Sequence, residues 1–191
     1  MRFQEDRYYI DKTLQGDLKS YGLLIRKHEN YALTLAIRIL RDRQEAEEVV
    51  QDAFIKVHQS LSSFEGKSKF STWLYKIVYN EALSKLRKTK AIHTSLDEIH
   101  ESEDAEPDSS NGLHLLELDE RKNIIKKALG MIKPTEAAAL TLFYLEEQSI
   151  KEMEEIMELK TSHVKILLHR GRKSLMEALK KIAAQELTHL L

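Results

Sequence analysis

Apolar positions recur along this chain at the three-to-four spacing of helices, and strand-like alternation is hard to find. Two early segments, Asp17–Leu40 and Arg43–Leu61, read as helices separated by a break at Arg41-Asp42-Arg43. In the second, Ala46, Val49, Val50, Ala53, Phe54, Val57 and Leu61 make one apolar stripe. A third helix is predicted from Ser71 to Arg87 or Lys88, with Phe70, Trp73, Leu74 and Ile77 turned inward. Its other side carries Lys76, Asn80, Ser84 and Arg87, at spacings of four, four and three. Glu81 falls near the apolar side without an evident role.

The later half is punctuated more sharply. Pro134 suits a helix N1 position, with Glu136 close behind. Ser149 and Glu152 have the spacing of a capping box, opening a short helix over Ser149–Met157. After the turn "ELKTS", a last helix runs from about Ser162 to Ala184, with Val164, Leu167, Leu168, Gly171 and Leu175 facing inward. Ser162, His163, Lys165, His169, Arg172 and Lys173 lie on this helix as candidate readers of DNA, most of them on its outer side. Two helices across a tight turn, the second basic outside, is helix-turn-helix geometry.

Between the halves, His93–Gly112 is polar and acidic, with Pro107 and a Ser-Ser-Asn-Gly end. The expectation is an all-α chain of two small helical domains, residues 1–90 and 116–191, joined by a flexible acidic linker over 91–115. Composition agrees: six glycines and two prolines in 191 residues, with 32% charged. Cysteine is absent, which excludes disulfides and thiolate zinc sites and suits a reducing compartment. No apolar signal core or long apolar run is present, so a soluble cytoplasmic protein without membrane insertion is expected.

Net charge is −1, but the charges are segregated. Residues 67–90 carry seven Lys/Arg against the single acid Glu81, and residues 160–181 carry seven against Glu177. Residues 91–112 hold seven acids and no Lys or Arg. The first basic segment is also ring-rich: Phe64, Phe70, Trp73, Tyr75 and Tyr79 are five of the thirteen aromatics. "GKS" at Gly66–Ser68 is not a phosphate-cradling loop, because position 61, where another glycine is required, is Leu61. Lysines neutralise phosphates, aromatic faces accept unstacked bases, and an amide such as Asn80 can read a base edge. Phe64, Lys67, Lys69, Lys76, Tyr79, Asn80, Ser84 and Arg87 therefore form a candidate surface for single-stranded or locally opened nucleic acid. Phe70 and Trp73 sit at core spacing, so Phe64, Tyr75 and Tyr79 are expected to be the freer rings.

On the Arg43–Leu61 helix, Ile55 points outward among Glu48, Gln51 and Asp52, which suggests a protein-binding face. The histidines lack metal-ligand spacing; His163 and His169, six apart, do not share a helix face. No nucleophile with a base and no carboxylate pair emerges, so neither catalysis, a metal nor a cofactor is expected.

With these residues in place, the chain closely resembles a bacterial RNA polymerase sigma factor of the extracytoplasmic-function type, within the sigma-70 family. Arg41–Lys88 resembles that family's region 2, and Leu129–Leu175 its region 4. The resemblance implies that Glu48, Gln51, Asp52 and Ile55 dock on core RNA polymerase, at the β′ clamp, with the β flap as a further contact. It implies that the Phe64–Phe70 loop, with Lys76 and Asn80, captures a flipped base and opens the −10 element. The Ser162–Lys173 face matches the helix that reads the −35 element in the major groove. Such proteins are not enzymes and are commonly held inactive by anti-sigma factors. The chain departs from the pattern at His58 (usually Trp), Glu158 (usually the turn Gly), Glu154 (usually Ala) and Leu167 (often Arg). Two other readings are a two-domain helix-turn-helix repressor and a helical adaptor, neither of which needs rings poised for unstacked bases.

Overall fold

The structure is a computed structural model that describes residues 2–94 and 113–189. Among the described residues it is all helix: α1 (Arg2–Leu14), α2 (Leu18–Leu40), α3 (Arg43–Ser60), α4 (Phe70–Thr94), α5 (Leu113–Met131), α6 (Pro134–Tyr144), α7 (Ile150–Met157) and α8 (Thr161–His189). A 3₁₀ turn at Leu61–Ser63 follows α3. The expected acidic linker falls mostly on residues 95–112, outside the described residues.

Local chemistry sets the helix starts. The Asp17 carboxylate accepts the Lys19 amide at 3.0 Å and the Ser20 hydroxyl at 2.8 Å, opening α2. Asp42 does the same for α3, accepting the Glu45 amide at 2.8 Å. Arg41 takes φ 62° between them, so one residue ends α2 and the next begins α3. Pro134 opens α6 as the first-turn residue. Ser149 and Glu152 make the full capping box of α7, the Ser149 amide donating to the Glu152 carboxylate at 2.8 Å.

The N-terminal half packs α2 against α1, α3 and α4. Leu24, Leu35, Ile39, Val57, Leu61, Leu74 and Val78 are fully buried there, and every position of the predicted α3 stripe is buried. In the C-terminal half, α8 packs across α5, α6 and α7, burying Leu142, Met153, Ile156 and Val164. Gly171 lets α8 approach α6 closely: a Cβ there would lie 3.1 Å from Leu140 Cγ and 3.3 Å from the Glu136 carbonyl oxygen. The halves also pack on each other, α6 against α2 and α7 against α4.

Two helices lie beyond the elements that periodicity singled out. α1 is polar along most of its length and is held by ions: Lys27 meets Asp6 at 2.7 Å and Glu5 at 2.9 Å, and His28 meets Asp6 at 3.3 Å. Burial pushes the Asp6 carboxyl up, but its bonds to His28 and Lys27 outweigh that and hold its pKa below 3.8. α5 begins inside the stretch that the sequence assigns to the linker. Glu81 gains a role from the fold: Lys56 reaches it at 2.6 Å and ties α3 to α4.

Candidate nucleic-acid and polymerase interface

The four α3 residues singled out for docking, Glu48, Gln51, Asp52 and Ile55, are all exposed. Ile55 is 56% exposed while its neighbours Ala53, Phe54 and Val57 are buried. A large apolar side chain on an acidic, amide-bearing face of a rigid helix is a suitable anchor for a protein partner. Glu48 has a second attachment, to Lys85 of α4 at 2.8 Å, which fixes that end of the face to the domain.

The aromatic loop differs from expectation. Phe64 is only partly exposed and stacks within a cluster, its centroid 5.8 Å from Phe70 and 5.2 Å from Trp73. Tyr75 and Tyr79 are not free rings: they are 2% and 3% exposed. Burial pushes the Tyr79 hydroxyl up to about 12, against the opposing charge of Arg87. The reason is that α4 is packed from more than one side, by α2, α3 and α7. Its inward face is wider than the Phe70–Ile77 stripe and takes Tyr75, Val78 and Tyr79 as well. Gly66 turns the loop with φ +70°, where a Cβ would come within 2.5 Å of the Arg7 guanidinium.

The polar side chains of this surface have found partners in the other half of the chain. Lys69 meets Glu152 at 2.7 Å and Lys76 meets Glu158 at 2.9 Å. The Ser68 hydroxyl donates to Glu155 at 2.7 Å, and the Tyr75 hydroxyl to Glu146 at 3.0 Å. Thr72 lies 3.4 Å from the buried amide of Gln148. The bond from Lys76 and its charge, with a further bond from Asn80, hold Glu158 below the usual carboxylate range. Burial pushes Glu152 up, but its bonds to Lys69 and Ser149 outweigh this, so it too lies low. Lys67 pairs with Glu65 of its own loop, while Ser84 and Arg87, farther along α4, are exposed.

On α8, Ser162, His163, Lys165, His169, Arg172 and Lys173 are all exposed, above an inner face where Val164, Leu168 and Gly171 are buried. Arg172 reaches the Tyr144 hydroxyl at 3.3 Å. The α7–α8 turn rests on Glu158, which takes φ 55°, a conformation that ordinarily favours glycine. Glu154 accepts a hydrogen bond from the Thr161 hydroxyl at the start of α8. His58, at the other departure, packs edge-on to Tyr21 with centroids 4.8 Å apart. Among the described residues no helix is long and apolar enough to cross a membrane, and no three His, Asp or Glu gather as metal ligands.

Residues 24–92 match the Sigma-70 region 2 model and residues 122–175 the Sigma-70 region 4 model. The chain is 31% identical over 176 residues to the ECF RNA polymerase sigma-E factor of Haemophilus influenzae, covering 87% of this chain and 91% of that protein. It is 29% identical over 185 residues to the RNA polymerase sigma-H factor of Pseudomonas aeruginosa, covering 94% and 96%. Among solved structures it is similar to the sigma factor RpoE in complex with the anti-sigma factor NepR from Bartonella quintana. There the TM-score is 0.71 at 26% identity, covering 85% of this chain and 98% of the other. The fold is also that of CnrH bound to the cytosolic domain of CnrY, with a TM-score of 0.63 at 19% identity, covering 93% and 98%. The chain belongs to the sigma-70 family of RNA polymerase sigma factors, in its extracytoplasmic-function branch.

Proposed function

We propose that this chain directs core RNA polymerase to promoters, docking through α3, reading the −35 element with α8 and opening the −10 element with the loop and α4. The observation that supports this most is the coexistence of region 2 and region 4 in one chain, in that order. The residues predicted for each task lie inside those two matches.

Each face has a distinct job in this reading. Ile55 with Gln51 and Asp52 engages the β′ clamp, and region 4 the β flap. On α8, Lys165, Arg172 and Lys173 hold phosphates or guanine edges, with Ser162, His163 and His169 as weaker readers. On α4, Asn80 reads a base edge and Lys69, Lys76 and Arg87 neutralise the strand beside the Phe64 ring. RNA synthesis itself is the polymerase's chemistry, and the chain works in the cytoplasm. An anti-sigma factor is expected as a regulator, because the structurally similar sigma factor RpoE was solved in complex with the anti-sigma factor NepR.

The deciding experiment is reconstitution with bacterial core polymerase on a promoter library, scored for transcript starts. Defined starts are expected, and their absence with a co-purifying polymerase would refute the reading. Replacing Ile55 and Asp52 by lysine should abolish co-purification while leaving helicity unchanged. Phe64→Ala and Asn80→Ala should each shrink the permanganate-reactive bubble, with a loss of about 1–3 kcal/mol at one base.

A further inference from the structure

The region 2 match covers residues 24–92, so α1 lies wholly before it. Yet α1 is fastened to the loop assigned to the −10 element. It rests on the 3₁₀ turn that leads into that loop and buries Ile10 in the core. Asp6 holds Lys27 at 2.7 Å and His28 at 3.3 Å. The buried His28 ring lies edge-on to Phe70, centroids 5.3 Å apart, and Phe70 packs in turn on Phe64. One residue after Asp6, Arg7 reaches across Gly66: a Cβ on that glycine would lie 2.5 Å from Arg7 Nη1 and 3.8 Å from Cζ.

Arg7 differs from the lysines around it. Lys67 pairs with Glu65, Lys69 with Glu152 at 2.7 Å and Lys76 with Glu158 at 2.9 Å. Arg7 meets Asp11 at 3.5 Å, longer than a charge-assisted hydrogen bond, and its side chain stays 60% exposed. An exposed pair of this kind contributes little and competes weakly with another anion. A side chain that merely covered the loop would lay its methylene stem on it. Here the charged head, and not the stem, lies over Gly66. Among the described residues that head donates no hydrogen bond to the loop. Gly66 has no side chain to keep another backbone away.

We propose that α1 is a third wall of the −10 site, beside the loop and α4, and that Arg7 is its phosphate ligand. The guanidinium holds the sugar–phosphate backbone of the opened strand where it passes over Gly66, while the flipped base lies against Phe64. A planar fork of donors matches two phosphate oxygens, which a lysine ammonium meets only as a point charge. Asp6 and His28 are positioning residues: they fix the turn of α1 that carries Arg7 and tie it to the ring cluster behind Phe64. A phosphate contact carries no base information. Arg7 therefore strengthens strand capture at every promoter and does not choose among them.

This inference rests on the functional reading above, and its test keeps the two apart. Holoenzyme is assembled from core polymerase with the wild type, Arg7→Gln, Arg7→Lys or Lys12→Gln. Lys12 lies five positions along α1, on another side of the helix. The probe is a fluorescein-labelled single strand that copies the opened strand of a promoter selected from the library. Across a salt series, the slope of log affinity against log salt should be shallower by about 0.7 for Arg7→Gln than for the wild type. Arg7→Lys should keep the wild-type slope while binding more weakly, and Lys12→Gln should match the wild type. Equal slopes for the wild type and Arg7→Gln overturn the inference even if Arg7→Gln binds more weakly, because a prop for the loop releases no counterion. The same loss of slope from Lys12→Gln also overturns it. With promoter-dependent starts from the wild type, either result leaves the sigma reading standing and strikes Arg7 alone. Absence of those starts refutes the sigma reading, and the assignment of Arg7 falls with it.

Discussion

The loop–α4 surface and the outer face of α8 carry similar sets of cations, yet their surroundings differ. Lys69 and Lys76 each end on a carboxylate of the other half of the chain, whereas Lys165, His169 and Lys173 stand exposed. Nothing in the two basic segments alone accounts for this, since each holds seven Lys/Arg against one acid. The difference lies in what each is packed against. α4 meets α7, whose exposed side is acidic, while on the outer side of α8 Arg172 meets only a neutral group, the Tyr144 hydroxyl. A basic face becomes a DNA-binding face only where the rest of the chain leaves it open.

Removing the ground under the masked face should have the largest effect. Leu74 is fully buried on the inner face of α4, and Leu74→Ala should cost about 2–5 kcal/mol, read as a fall in the urea midpoint. The same measurement on Ser84→Ala, an exposed position of the same helix, should show almost no change.

Next in size is the contrast between the two cation sets in binding closed duplex. Lys165→Ala with Arg172→Ala should reduce the slope of log affinity against log salt by about 2, since each lost phosphate contact removes about 0.9. Lys69→Ala with Lys76→Ala should leave that slope nearly unchanged in the free chain, because those lysines are already paired. Equal losses from both pairs would erase the distinction between the faces.

Acid should make the two faces alike. In the closed chain Glu152 and Glu158 have pKa values held below 4.5, chiefly by Lys69 and Lys76 over the opposing cost of burial. A carboxylate with a depressed pKa contributes to closure fully above 4.5, and that contribution is lost as pH falls through the lowered value. The distance between labels at Gln59→Cys on α3 and Lys180→Cys on α8 should therefore be constant from neutral pH down to 4.5 and change only as pH falls through the lowered values. With Glu152→Gln and Glu158→Gln together it should not respond to pH in this window.

The smallest expected effect is at the loop. Gly66 holds φ +70°, so Gly66→Ala should cost about 1 kcal/mol. Because the added Cβ also meets the Arg7 guanidinium, Gly66→Ala with Arg7→Ala should recover part of the loss in thermal midpoint. Full recovery would mean that the contact, and not the backbone, sets the requirement for glycine.

Much of this was readable in advance, for reasons tied to particular residues. Asp17, Asp42, Pro134 and Ser149 are local signals that act within one helical turn, so α2, α3, α6 and α7 start within a residue or two of where the sequence places them. The α3 stripe is equally local and put Ile55 outside correctly. α1 escaped notice because ions on α2 hold it more than an apolar stripe does. Tyr75 and Tyr79 were misjudged because α4 is covered from more than one side. Glu154 and Glu158 stood out only as departures from the family pattern, and the fold gives them partners in Thr161 and Lys76.

By itself, the sequence determined α2, α3, α4, α6, α7 and α8, most of their inward faces, the two basic segments and the family, because caps, periodicity and motif spacing are short-range properties of the chain. The tertiary structure alone decided which basic face is covered. That depends on bringing Lys69 and Lys76 beside Glu152 and Glu158, more than 80 positions away in the chain. Coulomb attraction acts through space at a few ångströms, and no pattern along a single helix records which distant surface will come that close.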